Sequence, residues 1–315
     1  MKSEATNGAS NEATVGASSE ATIEASIDSA VGATAAPTLD ALVARARRGD
    51  REALEELVAR LERRLYPLAY RFLHHREDAR DATQEILILV ITKLSSFRGD
   101  SAVETWAYRV ACRHLLRARS KGRSAARLVS FDDLVERDLA QPANEILPAT
   151  LARADARLLE EEVFLGCTQA MLQALDRPSR IAFVLGAICE LEAKDAAYAL
   201  GIAEAAFRKR LSRARATLDA FTARHCGVAD ERNPCRCAYQ VNHGVRLGRL
   251  DPSCPRYATP AARRSLETLH AFGELGRVRS SLELYRAQPE PRSPDELAAR
   301  VREMLEATGT ALFDA

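Results

Sequence analysis

The sequence predicts an all-α protein. It reads as two helical domains joined by a linker, with a Cys-rich helical extension after them and a disordered tail before them. Three observations carry that reading. Aromatic residues make up only 5% of the 315 positions, and 15 Gly and 12 Pro are few for the turns of a many-stranded β-protein. Ala, Leu, Arg and Glu, all good helix formers, recur throughout. Beyond Thr38, apolar residues return at close to 3.6-residue spacing. With 47% hydrophobic and 28% charged residues, the chain can bury a core and is no disordered polyelectrolyte.

The elements follow in order. Residues 1–37 hold an octad repeat, seen as Glu4-Ala-Thr, Glu12-Ala-Thr and Glu20-Ala-Thr. Its units carry almost nothing large enough to bury, so a disordered tail is expected. Residues 38–122 form the first helical domain. Thr38 or Asp40 can cap a segment with Leu42, Ala46, Leu54, Leu57, Val58 and Leu61 in helical register, broken at Gly49-Asp50. Leu65–His75 continues it, and Glu77–Phe97 reads as one long helix. Phe97-Arg-Gly-Asp-Ser is a turn, and a helix over Glu104–Arg119 follows. Residues 123–157, with Pro142 and Pro148, read as linker.

Residues 158–224 form the second domain, with helices at Glu161–Leu175 and Arg180–Glu190. Asp176-Arg-Pro-Ser between them is a stop and a fresh start. Two more helices, Ala193–Leu200 and Glu204–Arg224, meet at Gly201-Ile202. Residues 225–315 begin with a Cys- and Pro-rich stretch and end in amphipathic helices near 261–286 and 293–307.

The formal net charge of +1 hides local imbalance. Residues 1–40 carry one Lys and six acids, whereas Thr105–Ser130 holds seven basic residues and no acid. Ala205–Arg224 holds six basic residues and one acid. Two separate cationic segments on a neutral chain point to two polyanion contacts. The longest apolar runs, Ile86–Ile91 and Ile181–Cys189, are far shorter than the roughly 20 residues of a spanning helix. The N-terminus lacks an apolar export core. A cytoplasmic protein with no membrane contact is expected, and its seven Cys are then reduced.

Ala193–Arg215 reads as a helix-turn-helix, because Gly201 permits the steep turn. In its second helix Phe207, Leu211, Ala214 and Leu218 form an inward stripe. Arg208, Lys209, Ser212 and Arg213 then point outward, flanked by Arg215. Such a helix can enter a major groove, or it is a solvated basic face of a bundle. Upstream, Trp106 and Tyr108 adjoin the basic run Arg109–Arg127. Aromatic and basic side chains together suit opened nucleic acid, whereas a lone Trp can equally fill a core.

Three motifs make a family resemblance specific. Arg76-Glu-Asp-Ala-Arg-Asp-Ala-Thr-Gln-Glu85, Phe97-Arg-Gly-Asp-Ser and Thr105-Trp-Ala-Tyr-Arg-Val-Ala111 resemble region 2 of sigma-70 family factors, most closely the extracytoplasmic-function (ECF) group. Leu175-Asp-Arg-Pro-Ser-Arg180 and Arg210-Leu-Ser-Arg-Ala-Arg215 resemble region 4 of that group. The resemblance covers roughly residues 40–120 and 160–224. It implies a transcription initiation factor that binds core RNA polymerase through Asp81, Gln84 and Glu85. It implies contacts to the melted −10 element from Phe97, Arg98, Ser101, Trp106, Arg109, Arg113 and Arg117. Glu204, Arg208, Lys209, Ser212, Arg213 and Arg215 would read the duplex −35 element. Arg113 replaces a common Asn, and the recognition helix opens Glu204-Ala-Ala-Phe rather than Gly-Thr-Val. An anti-sigma factor is a further candidate partner. No catalytic triad, phosphate loop or His-Glu-x-x-His pattern is present, so no enzyme activity is expected.

Cys226, Cys235, Cys237 and Cys254 lie in the extension with His225 and His243 nearby. Four thiolates can hold zinc, and Cys-x-Cys suits monovalent copper. A redox switch and plain reduced thiols are the alternatives. Cys112, Cys167 and Cys189 are expected in the core. The terminal helices can pack on the second domain, cover its DNA face or recruit a partner. A duplex-binding regulator would explain residues 193–215 alone, and a metal or thiol sensor would explain only the extension.

Overall fold

The computed structural model describes residues 36–117, 130–139, 153–257, 281–286, 288, 290–292 and 303. The octad repeat, most of the linker and most of both terminal amphipathic stretches lie outside the described residues. Every regular element described is helical.

Helices α1 (Leu39–Ala46), α2 (Arg51–Leu73), α3 (Arg76–Thr92) and α4 (Val103–Arg117) form the first bundle. Asp50 starts α2 by accepting the Ala53 N–H at 3.0 Å, and Arg45 donates to it at 2.7 Å. The Ala53 amide first, then Arg45, holds this carboxyl below the usual range. At the other end His74 takes a left-handed conformation (φ 55°) and donates its N–H to Tyr70 O at 2.7 Å. His75 then caps α3 by accepting the Asp78 N–H at 3.3 Å. Two consecutive histidines thus turn the chain between α2 and α3. The single long helix expected over Glu77–Phe97 ends at Thr92, and a 3₁₀ turn at Leu94–Ser96 leads into the loop. Leu54, Leu57, Leu61, Leu65, Leu68 and Phe72 of α2 are buried, as their spacing predicts.

A short helix α5 (Phe131–Leu134), capped by Ser130, runs on as a π-helical turn through Leu139. The second set of helices comprises α6 (Arg153–Ala174), α7 (Arg177–Phe183), α8 (Ala193–Leu200) and α9 (Glu204–His225). Asp176 caps α7 by accepting the Ser179 N–H at 2.9 Å, so Asp-Arg-Pro-Ser is a helix start. A π-helical turn, Val184–Ile188, prolongs α7. Gly186 lies within it, close against α9. A Cβ there would come within 2.8 Å of Leu211 and Phe207 side-chain carbons. Gly201 ends α8 at φ 66°, the left-handed conformation the helix-turn-helix turn requires.

The two helical sets share a core. Ile181, Ala182, Leu185, Ala196, Ala197, Ala199 and Phe207 belong to one buried cluster with the residues of α1–α4. The polar part of the seam consists of helix ends. The last carbonyls of a helix have no amide partner within it and carry partial negative charge. Arg180, 6% exposed, donates to Phe72 O at the end of α2 (3.0 Å) and to Gln173 O and Leu175 O at the end of α6 (2.6 and 3.0 Å). It also meets Gln173 Oε1 at 2.5 Å. Burial lowers its pKa to about 10. Arg177 donates to Leu115 O near the end of α4 and lies over the Phe72 ring, 4.9 Å from its centroid. Gln173 Nε2 reaches both Arg71 O and Phe72 O at 3.3 Å.

The described parts of the extension pack on these helices. Helix α10 (Cys237–Arg246) lies along α6, and α11 (Ser281–Arg286) lies against α9 and the π-helical turn. Val241 and Leu250 close on Leu159, while Leu284 closes on Phe164 and Leu165.

Arg180→Met keeps the stem but leaves the buried carbonyls of Phe72, Gln173 and Leu175 without that donor. The expected loss is about 2–4 kcal/mol, read as a lower urea midpoint at an unchanged m-value.

Candidate nucleic-acid and protein interfaces

Helix α3 buries Ala79, Thr83, Ile86, Leu87, Val90 and Ile91. Its opposite face carries Asp81 and Glu85, whose side chains are 60% and 65% exposed, with Gln84 half-buried beside them. Arg80 approaches Asp81 at 3.4 Å, and His114 Nε2 of α4 approaches Glu85 at the same distance. The three residues therefore form one outward acidic patch, anchored to α4 at one end.

The loop after α3 is built around a buried ring. Phe97 is 7% exposed and packs on Trp106 at 5.3 Å between centroids. The Phe97 ring is thus a core anchor and not an open stacking face. Arg47, at the end of α1, holds this segment through Leu94 O (2.6 Å), Ser95 O (3.3 Å) and Phe97 O, and lies over the Phe97 ring. Arg98 is exposed. Ser101 Oγ is buried with no hydrogen-bond partner among the described residues. Trp106 is half-buried against the core.

Trp106, Arg109, Arg113 and Arg117 follow one another along one side of α4. Arg113 and Arg117 are exposed, whereas Arg109 is engaged by the other helical set. Its Nη1 donates to Tyr198 O near the end of α8 at 2.8 Å, and its guanidinium lies 4.5 Å from the Tyr198 ring centroid. Arg119, Lys121, Arg123 and Arg127 lie outside the described residues.

On α9 the stripe Phe207, Ala214 and Leu218 is buried, and Leu211 is half-buried. Arg208, Lys209, Ser212 and Arg213 are exposed on the other side. Glu204 pairs with Arg208 across one turn. Arg215 is half-buried, with Nε enclosed and without a partner among the described residues, so it belongs to the flank.

The cysteines depart from expectation. Cys226 and Cys235 pair through a short parallel backbone bridge, and Cys237 has Cys226, Cys167 and Cys235 as its thiol neighbours. Cys254 is exposed. Cys167, expected in the core, is exposed too and faces the extension. Among the described residues, no group of three or more Cys, His, Asp or Glu side chains is placed to hold a metal ion. Cys226, Cys235, Cys237 and Cys254 are therefore not assembled into the expected zinc or copper set among the described residues. Burial pushes the Cys235 thiol up to about 11 and Cys237 well above its ordinary value, so both favour the protonated form.

Sequence reasoning missed Arg47, Arg177, Tyr198 and His114. Each acts through a backbone carbonyl or a distant helix, which no local spacing announces.

The comparisons with known proteins bear on the same segments. The sigma-70 region 2 family model matches residues 43–125, and the sigma-70 region 4 model matches residues 165–218. The matched segments run from within α1 through α4 and from within α6 into α9, and this pairing defines a sigma-70 type initiation factor. The RNA polymerase sigma-H factor of Pseudomonas aeruginosa is 29% identical over 178 residues, covering 56% of this chain and 90% of that protein. The ECF RNA polymerase sigma factor SigM of Mycobacterium tuberculosis is 31% identical over 173 residues, covering 54% of this chain and 77% of that protein. The chain belongs to the ECF group of the sigma-70 family. It is a transcription initiation factor whose partners are core RNA polymerase and promoter DNA. Among the described residues no helix is long and apolar enough to cross a membrane.

Thiol reactivity follows exposure, because the thiolate is the nucleophile. With iodoacetamide at about pH 8, Cys254 and Cys167 are expected to be modified first. Cys112, fully buried with its thiol pushed up by burial, reacts only in denaturant. Peptide mass spectrometry over a time course checks the order, and equal rates at Cys112 and Cys254 would refute it.

Proposed function

We propose that this chain recognises a promoter at two places and stabilises the melted form of one of them. The observation that carries this reading is the coexistence, on one chain, of the exposed acidic patch of α3 and the exposed basic face of α9. Asp81, Gln84 and Glu85 dock on core polymerase. Arg98, Ser101, Trp106, Arg109, Arg113 and Arg117 meet the −10 element as single strand, with Phe97 holding the loop from within. Glu204, Arg208, Lys209, Ser212 and Arg213 meet the −35 duplex, and Arg215 supports that helix. The melted state is favoured because those groups bind separated strands better than paired ones, which shifts the equilibrium by that difference in affinity. The polymerase supplies the chemistry and this chain the positioning, in the cytoplasm where that enzyme works. The extension regulates access to these surfaces.

Transcription reconstituted from core polymerase, this chain and a cognate promoter tests the reading. Opening of the −10 region should need both proteins. Footprinting by the chain alone at full strength would favour a simple duplex-binding regulator.

Two variants separate the roles. Asp81→Ala with Glu85→Ala is expected to weaken core polymerase binding about tenfold, some 1.4 kcal/mol, with the circular dichroism melt unchanged. Lys209→Ala is expected to weaken promoter duplex binding evenly across sequences and to reduce the slope of log K against log salt by about 1.

A further inference from the structure

We propose that Cys226 and Cys235 are an oxidisable thiol pair, a site at which peroxide forms a reversible disulfide joining the end of α9 to the start of the extension. Cys226 is the first residue past α9, and Cys235 precedes α10 by two positions. Their backbones meet in a parallel bridge. Extended segments that pair in this way run about 4.8 Å apart, and paired residues direct their side chains to the same side. A disulfide spans Cα separations of about 4.4–6.8 Å, so the pair can close without backbone rearrangement. Closure ties the helix with the exposed basic face covalently to the segment that leads into α10.

The intervening loop is held shut by polar contacts before any S–S bond exists. Asn233 Nδ2 donates to Ala223 O (3.0 Å) and Cys226 O (3.1 Å), carbonyls at the end of α9. The Asp230 N–H also donates to Cys226 O, at 3.0 Å. From the other end Arg236 donates to Cys235 O at 3.0 Å and reaches back to Glu231 O at 2.6 Å. Gly227 lets the two segments touch, since a Cβ there would lie 2.0 Å from Cys235 O and 2.1 Å from Arg236 Nη1. Folding has therefore already met most of the entropy cost of bringing these two thiols together. Cys237 is a poorer partner for either. It begins α10 and packs against the apolar cluster of Phe164, Leu165 and Leu284, outside the bridge.

The two sulfurs have different roles. Burial first, then the Cys226 thiol beside it, pushes Cys235 up to about 11, against the pull of Gln240 and Arg236. Cys235 thus keeps its proton at neutral pH and acts second. The Cys226 thiolate attacks a peroxide oxygen. An S–O bond forms, the O–O bond breaks, and the departing oxygen takes up protons and leaves as water. The Cys235 sulfur then attacks the resulting sulfenic acid. The S–S bond forms, the S–O bond breaks, and the Cys235 proton leaves with hydroxide as a second water. Both sulfurs are oxidised and the peroxide oxygens are reduced, two electrons in all. A small thiol such as glutathione reverses the step by exchange, so the pair is a sensing site and not a permanent staple.

Trypsin cuts after Arg224, Arg232, Arg236 and Arg246, which puts Cys226, Cys235 and Cys237 on three separate peptides. The test treats the full chain with hydrogen peroxide, blocks it with iodoacetamide, digests it without reductant and reads the products by mass spectrometry. The expected product is peptide 225–232 joined to peptide 233–236, about tenfold over any other linked pair. Dithiothreitol should separate the two. Cys237→Ser should give the same link at the same yield, and Cys226→Ser should lose it. Predominant links from Cys237 or Cys167, or links between isotopically distinct copies of the chain in a mixed sample, would overturn the site. So would the absence of any link once the exposed Cys254 is oxidised. If a variant does not fold, the wild-type digest decides alone. Neither polymerase nor DNA enters the measurement, so its outcome is independent of the promoter reading.

Discussion

Helix C-termini leave carbonyls that no amide of the same helix can reach, and the fold of this protein depends on arginines meeting them. Arg180 serves the ends of α2 and α6 together, Arg177 the end of α4, and Arg109 the end of α8. A guanidinium suits this task because its donors fan out in one plane and its charge complements the negative end of the helix dipole. Arg180 is nearly buried and has carbonyl and amide oxygens, not a carboxylate, as its hydrogen-bond acceptors. Its charge is therefore matched only by partial charges, which explains why burial pulls its pKa down. Removing the cation would strand helix ends on both sides of the seam at once.

The same chemistry governs where the functional faces sit. The acidic patch of α3 and the basic face of α9 stay exposed because each lies opposite its helix's buried apolar stripe. The face of α4 proposed for the −10 strand is different. Its neighbour α8 presents Ala196, Ala197 and Ala199 as its buried residues, so the helices approach closely while burying little apolar area per residue. Close approach lets Arg109 reach the Tyr198 carbonyl and ring. A guanidinium that can lie on a Tyr ring and bind a carbonyl oxygen can equally meet a base face and a phosphate oxygen. The intramolecular contact thus occupies a group whose chemistry fits the nucleic acid.

Much of this was legible in the sequence. The break at Gly49-Asp50, the start at Asp176-Arg-Pro-Ser and the turn at Gly201 are local signals, and each marks a real helix boundary. The buried stripe of α9 followed from 3.6-residue spacing, and the paired motifs placed the family. What escaped notice is non-local. Arg47, Arg177 and Arg180 carry no local signal of their roles, since their partners are backbone carbonyls that every residue possesses. The family resemblance set Phe97 among the −10 contacts, yet its ring beside Trp106 and Arg47 completes a core. The thiols misled for a related reason. Spacing along the chain limits which Cys can meet but does not decide which do, and Cys167 on α6 took the neighbourhood expected for Cys254.

A seam of capped helix ends also has an energetic consequence that an apolar seam would not. When two apolar faces separate, the exposed area is penalised in proportion to its size. When a capped carbonyl separates from its arginine, water replaces both partners, and the net change for each hydrogen bond is small, about 0.5–1.5 kcal/mol. Ile181, Ala182 and Leu185, with the alanines of α8, add an apolar term in proportion to the area they bury. Rigidity in the free protein and separability on a partner are therefore compatible. The caps fix the relative orientation of the modules through directional bonds, while their low net worth in water keeps opening within reach of the binding energy that a large polymerase surface supplies. Gln288 against Arg71 extends that logic to the extension. Gln288 meets Arg71 as a neutral carboxamide, so this contact adds direction without placing a full charge at the acceptor.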